Sequence, residues 1–271
     1  MPISYDNPPL IELVVELRWG TAAFLLPTAV AVTDAGAAIT PQIAEHLFMH
    51  FGAVASGEGY GRFERVIPPG FPLAPFQVAY RYRPTDSENN ATLYQLGNGV
   101  FSINALPPYK NWDQFKPVIQ RGVQIRNEAF KRMGMEPLPF SSGIVRYIDA
   151  FQGPLLGNYS TRAFLTDVLG FKLTMPPILE EVCTDRQQII PQLQLTLPVA
   201  PGQLQIALSE GQLNNQRAVV VDTSVTMNRQ LSTDPSSTVI ELTEARNVIH
   251  EIFMQIAKPL HDHMNPIEVT K

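Results

Sequence analysis

Cysteine is all but missing from this chain. One residue, Cys183, among 271 leaves no intramolecular disulfide and no cysteine-based zinc cluster to hold the fold. Charge is scarce too: Asp, Glu, Lys and Arg make up 17% of the residues, against roughly 25% in ordinary soluble domains. Within that small set the basic residues are the minority, 20 against 25, for a net charge of −5. A general binder of nucleic acid or acidic membrane carries a basic excess or block, and this composition speaks against both. Apolar runs of roughly 18 residues are absent, as is a charged and then apolar leader, so the chain reads as soluble and cytoplasmic.

Proline is abundant by contrast, 24 of 271, nearly twice the usual share of about 5%. The prolines are spread along the chain and mark element boundaries. A chain of this length buries a proper core, so its low charge points to surface that faces another subunit or partner, where charge is depleted. A neutral surface of Gln, Asn, Ser and Thr is the plainer alternative.

After the extended Asn7-Pro8-Pro9, the residues Ile11, Leu13, Val15, Leu17 and Trp19 recur every second position and predict a strand. Thr40-Pro41 starts a helix carrying Ile43, Leu47 and Phe51, with Gly52 near its end. Strands follow at 62–67, 76–83, 92–96 and 100–106, the last two joined at Gly97-Asn98-Gly99. Asn111 caps a second helix with Phe115, Ile119, Val123, Phe130 and Met133 on one face, and Pro117 predicts a kink or a later start. Beyond Pro137 and Pro139 the order begins again. A strand at 144–151 and a short helix at 161–169 precede strands at 192–197, 203–208 and 217–228. Thr238-x-x-Glu241 is a capping box for a last helix that Pro259 ends.

Both halves therefore run strand, helix, antiparallel strands, long helix. The expectation is an α+β protein of two pseudo-repeated halves, residues 1–136 and 137–271, packed as one unit. Each is a curved antiparallel sheet on a long helix in the order β-α-β3-4-α, of the helix-grip or TATA-binding-protein-like kind. No residue-level identity links the halves, and such folds license no particular activity.

Candidate chemistry is thin, and the residues call for no cofactor, no metal and no catalytic group. His46 and His50 share a helix face but lack the Glu of a metalloprotease motif and a third ligand. His250, His261 and His263 read as a half-buried helix histidine and a frayed end. Val219–Ser224 resembles half of an aspartic-protease signature, yet Ser224 replaces the glycine and no second copy exists. Asp222 reads instead as a strand carboxylate paired with Arg146. Gly57–Gly61 lacks the strand and capped helix of a phosphate cradle, and Cys183 reads as a structural thiol.

The informative surface is uncharged. Leu193, Leu195, Leu197, Leu204, Ile206 and Leu208 alternate with Gln192, Gln194, Thr196, Gln203 and Gln205. If these runs pair, one sheet face is apolar and the other amide-rich, and a neutral polar face enters an interface without desolvating charge. The stretch Leu106–Trp112, rich in aromatics and proline, is a second candidate contact.

Several segments together resemble a sporadically distributed bacterial family of uncharacterised proteins of about this length. They are Asn7-Pro8-Pro9-Leu10-Ile11-Glu12 with the preceding Tyr5-Asp6, Gly99–Asn104 leading into Tyr109-x-x-Trp112-x-x-Phe115, Arg146-Tyr147-Ile148-Asp149-x-Phe151, Asp222-Thr223-Ser224 and His250-Glu251-x-Phe253. The family has no assigned activity, so the resemblance transfers no cofactor or catalytic residue. Its patchy distribution is that of horizontally moved genes, including those for defence or toxin control.

The expected function is a non-catalytic cytoplasmic component that binds a protein partner or its own copies. The alternative is a small-molecule binder or enzyme with a pocket between sheet and helix, its polar groups Arg146, Asp149 and Asp222. A weaker option is nucleic-acid binding through Arg121, Arg126, Lys131 and Arg132, which the net charge opposes.

Overall fold

A computed structural model of the chain describes residues 3–20, 41–68, 70–86, 91–185 and 188–268. It is a mixed α+β protein with a large open antiparallel sheet and a few helices. In chain order the elements are β1 (Ile3–Tyr5), β2 (Leu10–Arg18), α1 (Pro41–Gly57), β3 (Arg62–Arg65), β4 (Val78–Arg83), β5 (Thr92–Gly97), β6 (Val100–Ala105) and α2 (Trp112–Arg132). Then come β7 (Ser142–Gln152), α3 (Thr161–Ala163) with a π-helical turn at Phe164–Val168, α4 (Pro177–Val182), β8 (Leu193–Val199), β9 (Gly202–Leu213), β10 (Gln216–Met227), α5 (Pro235–Ile256) and β11 (Pro266–Glu268). The strands of the large sheet follow the order β3-β4-β5-β6-β2-β7-β10-β9-β8, and β1 pairs separately with β11. The chain forms two compact units, Leu13–Val145 with Thr226–Ala245, and Met1–Glu12 with Arg146–Val225 and Arg246–Lys271.

In the first unit, strand alternation does what the pattern requires: Leu13, Val15, Leu17 and Trp19 are buried. β5 and β6 form a tight hairpin closing at Gly97↔Val100. Only glycine fits at its first corner, because a Cβ on Gly97 would lie 2.0 Å from the Gln77 carbonyl oxygen. α1 continues past Gly52 to Gly57. Gly52 does not stop the helix; it makes room for the Tyr82 ring, 3.1 Å from where a Cβ would stand. The Phe51 ring then packs among Tyr82, Tyr94 and Phe101. The helix-start residue Thr40 lies outside the described residues.

α2 starts where its cap predicts, with the Asn111 side chain accepting from the Gln114 N–H at 2.9 Å. Pro117 sits inside the helix without delaying its start. α5 departs from expectation. It begins at Pro235, and Asp234 is the cap, accepting from the Ser237 N–H at 2.8 Å. Thr238 lies in the first turn and donates to the carbonyls of Ser232 and Asp234. Asp followed by Pro places a cap acceptor ahead of a residue whose missing N–H costs nothing there, and this signal prevails over Thr238-x-x-Glu241.

In the second unit, β8 and β9 pair in register, with Leu193↔Leu208, Leu195↔Ile206 and Leu197↔Leu204 on one face. Leu204, Ile206 and Leu208 are buried. β9 runs longer than its sequence pattern, to Leu213, while β10 keeps the expected length one residue earlier. Phe151 on β7 packs against Phe164 in the π-helical turn, with ring centroids 5.3 Å apart. Near the other end of the unit, the Tyr5 ring meets Phe253 and His261, and its hydroxyl reaches Met254 Sδ at 3.3 Å.

Candidate interaction face

The register of β8 against β9 sorts every residue of the hairpin. Opposite the leucine face, Gln194 pairs with Ala207, Thr196 with Gln205 and Pro198 with Gln203. Gln194, Thr196, Gln203 and Gln205 are exposed, as is Gln192 just before the strand. Four of the five residues predicted as a neutral face thus lie together on one side of one hairpin, and the fifth, Gln192, is exposed just before it. β8 stands at the end of the strand order, with β9 as its one partner among the described strands.

Position at an edge changes what neutrality means. From Gln188 to Ser209 the sequence contains no Asp, Glu, Lys or Arg. A comparable uncharged run covers β5 and β6, but those strands are buried and burial explains it. Burial does not explain β8, where Leu197 is 44% exposed on the leucine face. Ahead of it, Ile178, Leu179, Val182 and Ile190 are each more than half exposed. The sequence reading missed these four. Their signal was the spacing of Ile178, Leu179 and Val182 on one short helix.

The polar trio divides. Arg146 on β7 and Asp222 on β10 form a two-pronged ion pair, Nε to Oδ1 at 2.8 Å and Nη2 to Oδ2 at 2.5 Å. The pair is exposed enough to contribute no more than about 1 kcal/mol. Asp149 is buried, and burial together with the nearby Asp222 carboxylate pushes its pKa up to about 7. Arg146 and Asp222 thus engage each other.

The cations of α2 do not form one basic surface. Arg126 is fully buried and belongs to the core, which corrects its assignment to a phosphate-facing stripe. Its guanidinium lies 4.3–4.8 Å from the ring centroids of Phe140, Trp19 and Phe130 and donates to the Leu138 carbonyl at 2.6 Å. Burial pulls its pKa down to about 9. Arg121 pairs with Glu58, and Arg132 with Glu128 at 3.2 Å. These four residues and Lys131 line a groove of about 520 Å³ in which acids offset bases.

The remaining candidates sit in ordinary surroundings. Trp112 in the Leu106–Trp112 stretch is buried and donates to Thr243 Oγ1 at 3.0 Å; the two prolines and Lys110 are exposed, and Leu106, Tyr109 and Asn111 are half-buried. His250 is half-buried, its pKa held down to about 4 by burial and by Arg246. His261 packs on Tyr5, and Cys183 follows α4, partly exposed. Among the described residues, no group of three or more His, Cys, Asp or Glu side chains is placed to hold a metal ion, and no helix is long and apolar enough to cross a membrane.

No protein-family model matches the chain, and no curated protein or solved structure is significantly similar to it.

Proposed function

We propose that this protein is a non-catalytic binding or assembly component that engages protein through the β8–β9 hairpin. One observation carries the reading: an edge strand, exposed on both faces in part, carries no charge and follows four outward-facing aliphatic residues. Monomeric proteins blunt such edges with charge, proline, a bulge or a cover; β8 has no charge and a single proline, Pro198, and aliphatic side chains grouped at a surface mark interaction sites. The amide-rich face beside it supplies donors and acceptors without desolvating an ion.

The same proposal includes the two-half, helix-grip organisation. Its support is the strand order. Read outward from the middle of the sheet, one side runs β2, β6, β5, β4 and the other β7, β10, β9, β8. On each side the first strand of the half lies innermost, and the later ones succeed it in reverse chain order. The resemblance to a sporadically distributed bacterial family, and with it a place in a horizontally mobile system, belongs to this proposal as well.

Replacing Gln194 and Gln205 together by Lys tests the reading. The expected result is loss of association by sedimentation with an unchanged far-UV CD spectrum. Association that survives the double substitution would remove this face from the account. The ligand-pocket alternative draws on Asp149 alone, since Arg146 and Asp222 satisfy each other. It predicts a raised melting temperature with some member of a broad metabolite and nucleotide panel.

A further inference from the structure

The repeat of strand order assigns β8 a counterpart. Counting outward, β4 holds in one half the position that β8 holds in the other. β4 is followed by one more strand, β3, which pairs with it antiparallel from Arg62↔Arg83 to Arg65↔Tyr80. Beyond β8 no described strand follows. Among the described residues, the half that ends in β8 therefore has no strand in the place that β3 takes in its counterpart, and a neutral, extended strand would match what β8 presents there.

Pro198 tells which backbone groups wait at this edge. Proline has no N–H, and within a sheet it is tolerated where its nitrogen faces away from the neighbouring strand. Backbone groups alternate sides along an antiparallel ladder, so Gln194 and Thr196, four and two residues before Pro198, turn their N–H and C=O groups the same way, off the sheet. Thr196 is the middle residue of Leu193–Val199.

We propose that the missing strand is β8 of a second copy, paired antiparallel across a two-fold axis at Thr196. This deepens the protein-binding reading above and rests on it. The register that uses the whole strand sets Thr196 against its own mate, exchanging two N–H···O bonds. It sets each Gln194 N–H to donate to the Pro198 carbonyl of the other copy, while the Gln194 carbonyl, facing a residue with no N–H, gets no donor from that strand; the ladder keeps its two Thr196 bonds and one bond at each Gln194–Pro198 pair. Leu195 then opposes Leu197, and Leu193 opposes Val199, apolar against apolar on one face.

Charge selects the occupant. A two-fold contact sets the axial residue against its own duplicate and every other residue against the one symmetric to it about the axis, so a strand with charges of one sign, or with a charge at its centre, opposes like with like, which destabilises the pair. Two chains of net charge −5 repel, and β8 with its flank is the surface on which they meet without adding to that repulsion. An exposed edge of this kind also accepts an extended peptide from another protein. Such a peptide needs no self-complementarity, whereas Leu193–Val199 has it about its central residue.

The test is native mass spectrometry of the full chain at micromolar concentration, for the wild type, Thr196→Pro and Thr196→Lys. The wild type is expected at twice 30.1 kDa. Thr196→Pro removes an N–H that faces away from β9, so it is expected at the monomer mass with an unchanged far-UV CD spectrum. If that variant does not fold, Thr196→Lys decides, since it sets two ammonium groups opposite each other at the axis. A monomeric wild type, or a dimer that survives both substitutions, overturns the proposal. A monomeric wild type that binds a different protein, with that binding lost in Thr196→Pro, overturns the homodimer and leaves the protein-binding reading standing. A monomeric wild type whose edge binds nothing overturns both.

Discussion

The two ends of the strand order are guarded in opposite ways. At one end β3 reads Arg62-Phe63-Glu64-Arg65, three charges in four residues. Arg65 forks onto Glu45 of α1 at 2.7 and 2.9 Å and reaches the Tyr80 hydroxyl, while Glu64 faces Arg81 at 3.5 Å. At the other end β8 reads Leu-Gln-Leu-Thr-Leu-Pro-Val and has nothing to repel an incoming strand except Pro198. A four-residue charged strand is a standard way to stop sheet growth, and a seven-residue neutral one invites it. The difference teaches that low overall charge is not spread evenly in this protein. One long uncharged run falls on the buried β5 and β6, and another on the exposed edge strand β8.

Substitutions can break or sharpen this contrast, and they are taken from the largest expected effect to the smallest. Gly97→Ala strikes the hairpin beside β4. The new Cβ would overlap the Gln77 carbonyl, so a loss of at least about 4 kcal/mol is expected in urea unfolding. A folded Gly97→Ala of full stability would mean that the β4–β5 junction is not as close as described.

Asp149→Asn comes next and acts on the half that carries β8. The folded pKa of Asp149 is raised to about 7, above the ordinary carboxylate value of about 4. Between these pH values the folded state holds a proton that the unfolded state has released, so stability falls as pH rises through the window. Above it, Asp149→Asn is expected to exceed the wild type by up to about 4 kcal/mol. His250 works the other way, with its folded value down near 4. There the unfolded state binds the proton, so stability falls as pH drops from about 6.5. The two slopes oppose each other in the wild type. In Asp149→Asn the acid-side loss from His250 stands alone, and unfolding midpoints measured across this pH range would show it. An unchanged pH profile in Asp149→Asn would mean that Asp149 is not buried as described.

The smallest effect is expected at the charged end. Glu64→Gln loosens one exposed ion pair and is expected to change stability by less than about 0.5 kcal/mol. It should leave association untouched, because β3 is not the edge that pairs. Weaker association in Glu64→Gln would shift the interface from β8 to β3.

Much of the architecture was legible because it rests on local chemistry. The alternation over Ile11–Trp19, the Gly97–Gly99 corner and the Asn111 cap each satisfy a backbone or packing demand within a few residues. The α5 start was misplaced because two sound caps compete, and Asp234-Pro235 lies earlier than Thr238. Arg126 was taken for surface because of its charge. Its spacing from Ile119, Val123 and Phe130 follows the buried stripe of α2, and that phase was the better guide. Of the interaction face, the pattern of amides and leucines was readable, since period 2 and its registry decide which side each residue takes. That β8 lies at an edge was not, because strand order depends on pairings between residues far apart in sequence. The exposed aliphatics of α4 were likewise hidden, since an apolar residue in sequence looks the same whether covered or bare.

The central claim is that β8 presents an open edge which another copy of the chain closes. Amide hydrogen exchange at Gln194 and Thr196, followed over a range of protein concentrations, tests it most directly. The account predicts slow exchange at high concentration that becomes fast on dilution, while the buried amides of β9 do not change. Fast exchange at every concentration would show that nothing closes the edge, and slow exchange at every concentration would show that the chain covers β8 itself. Either result would contradict it.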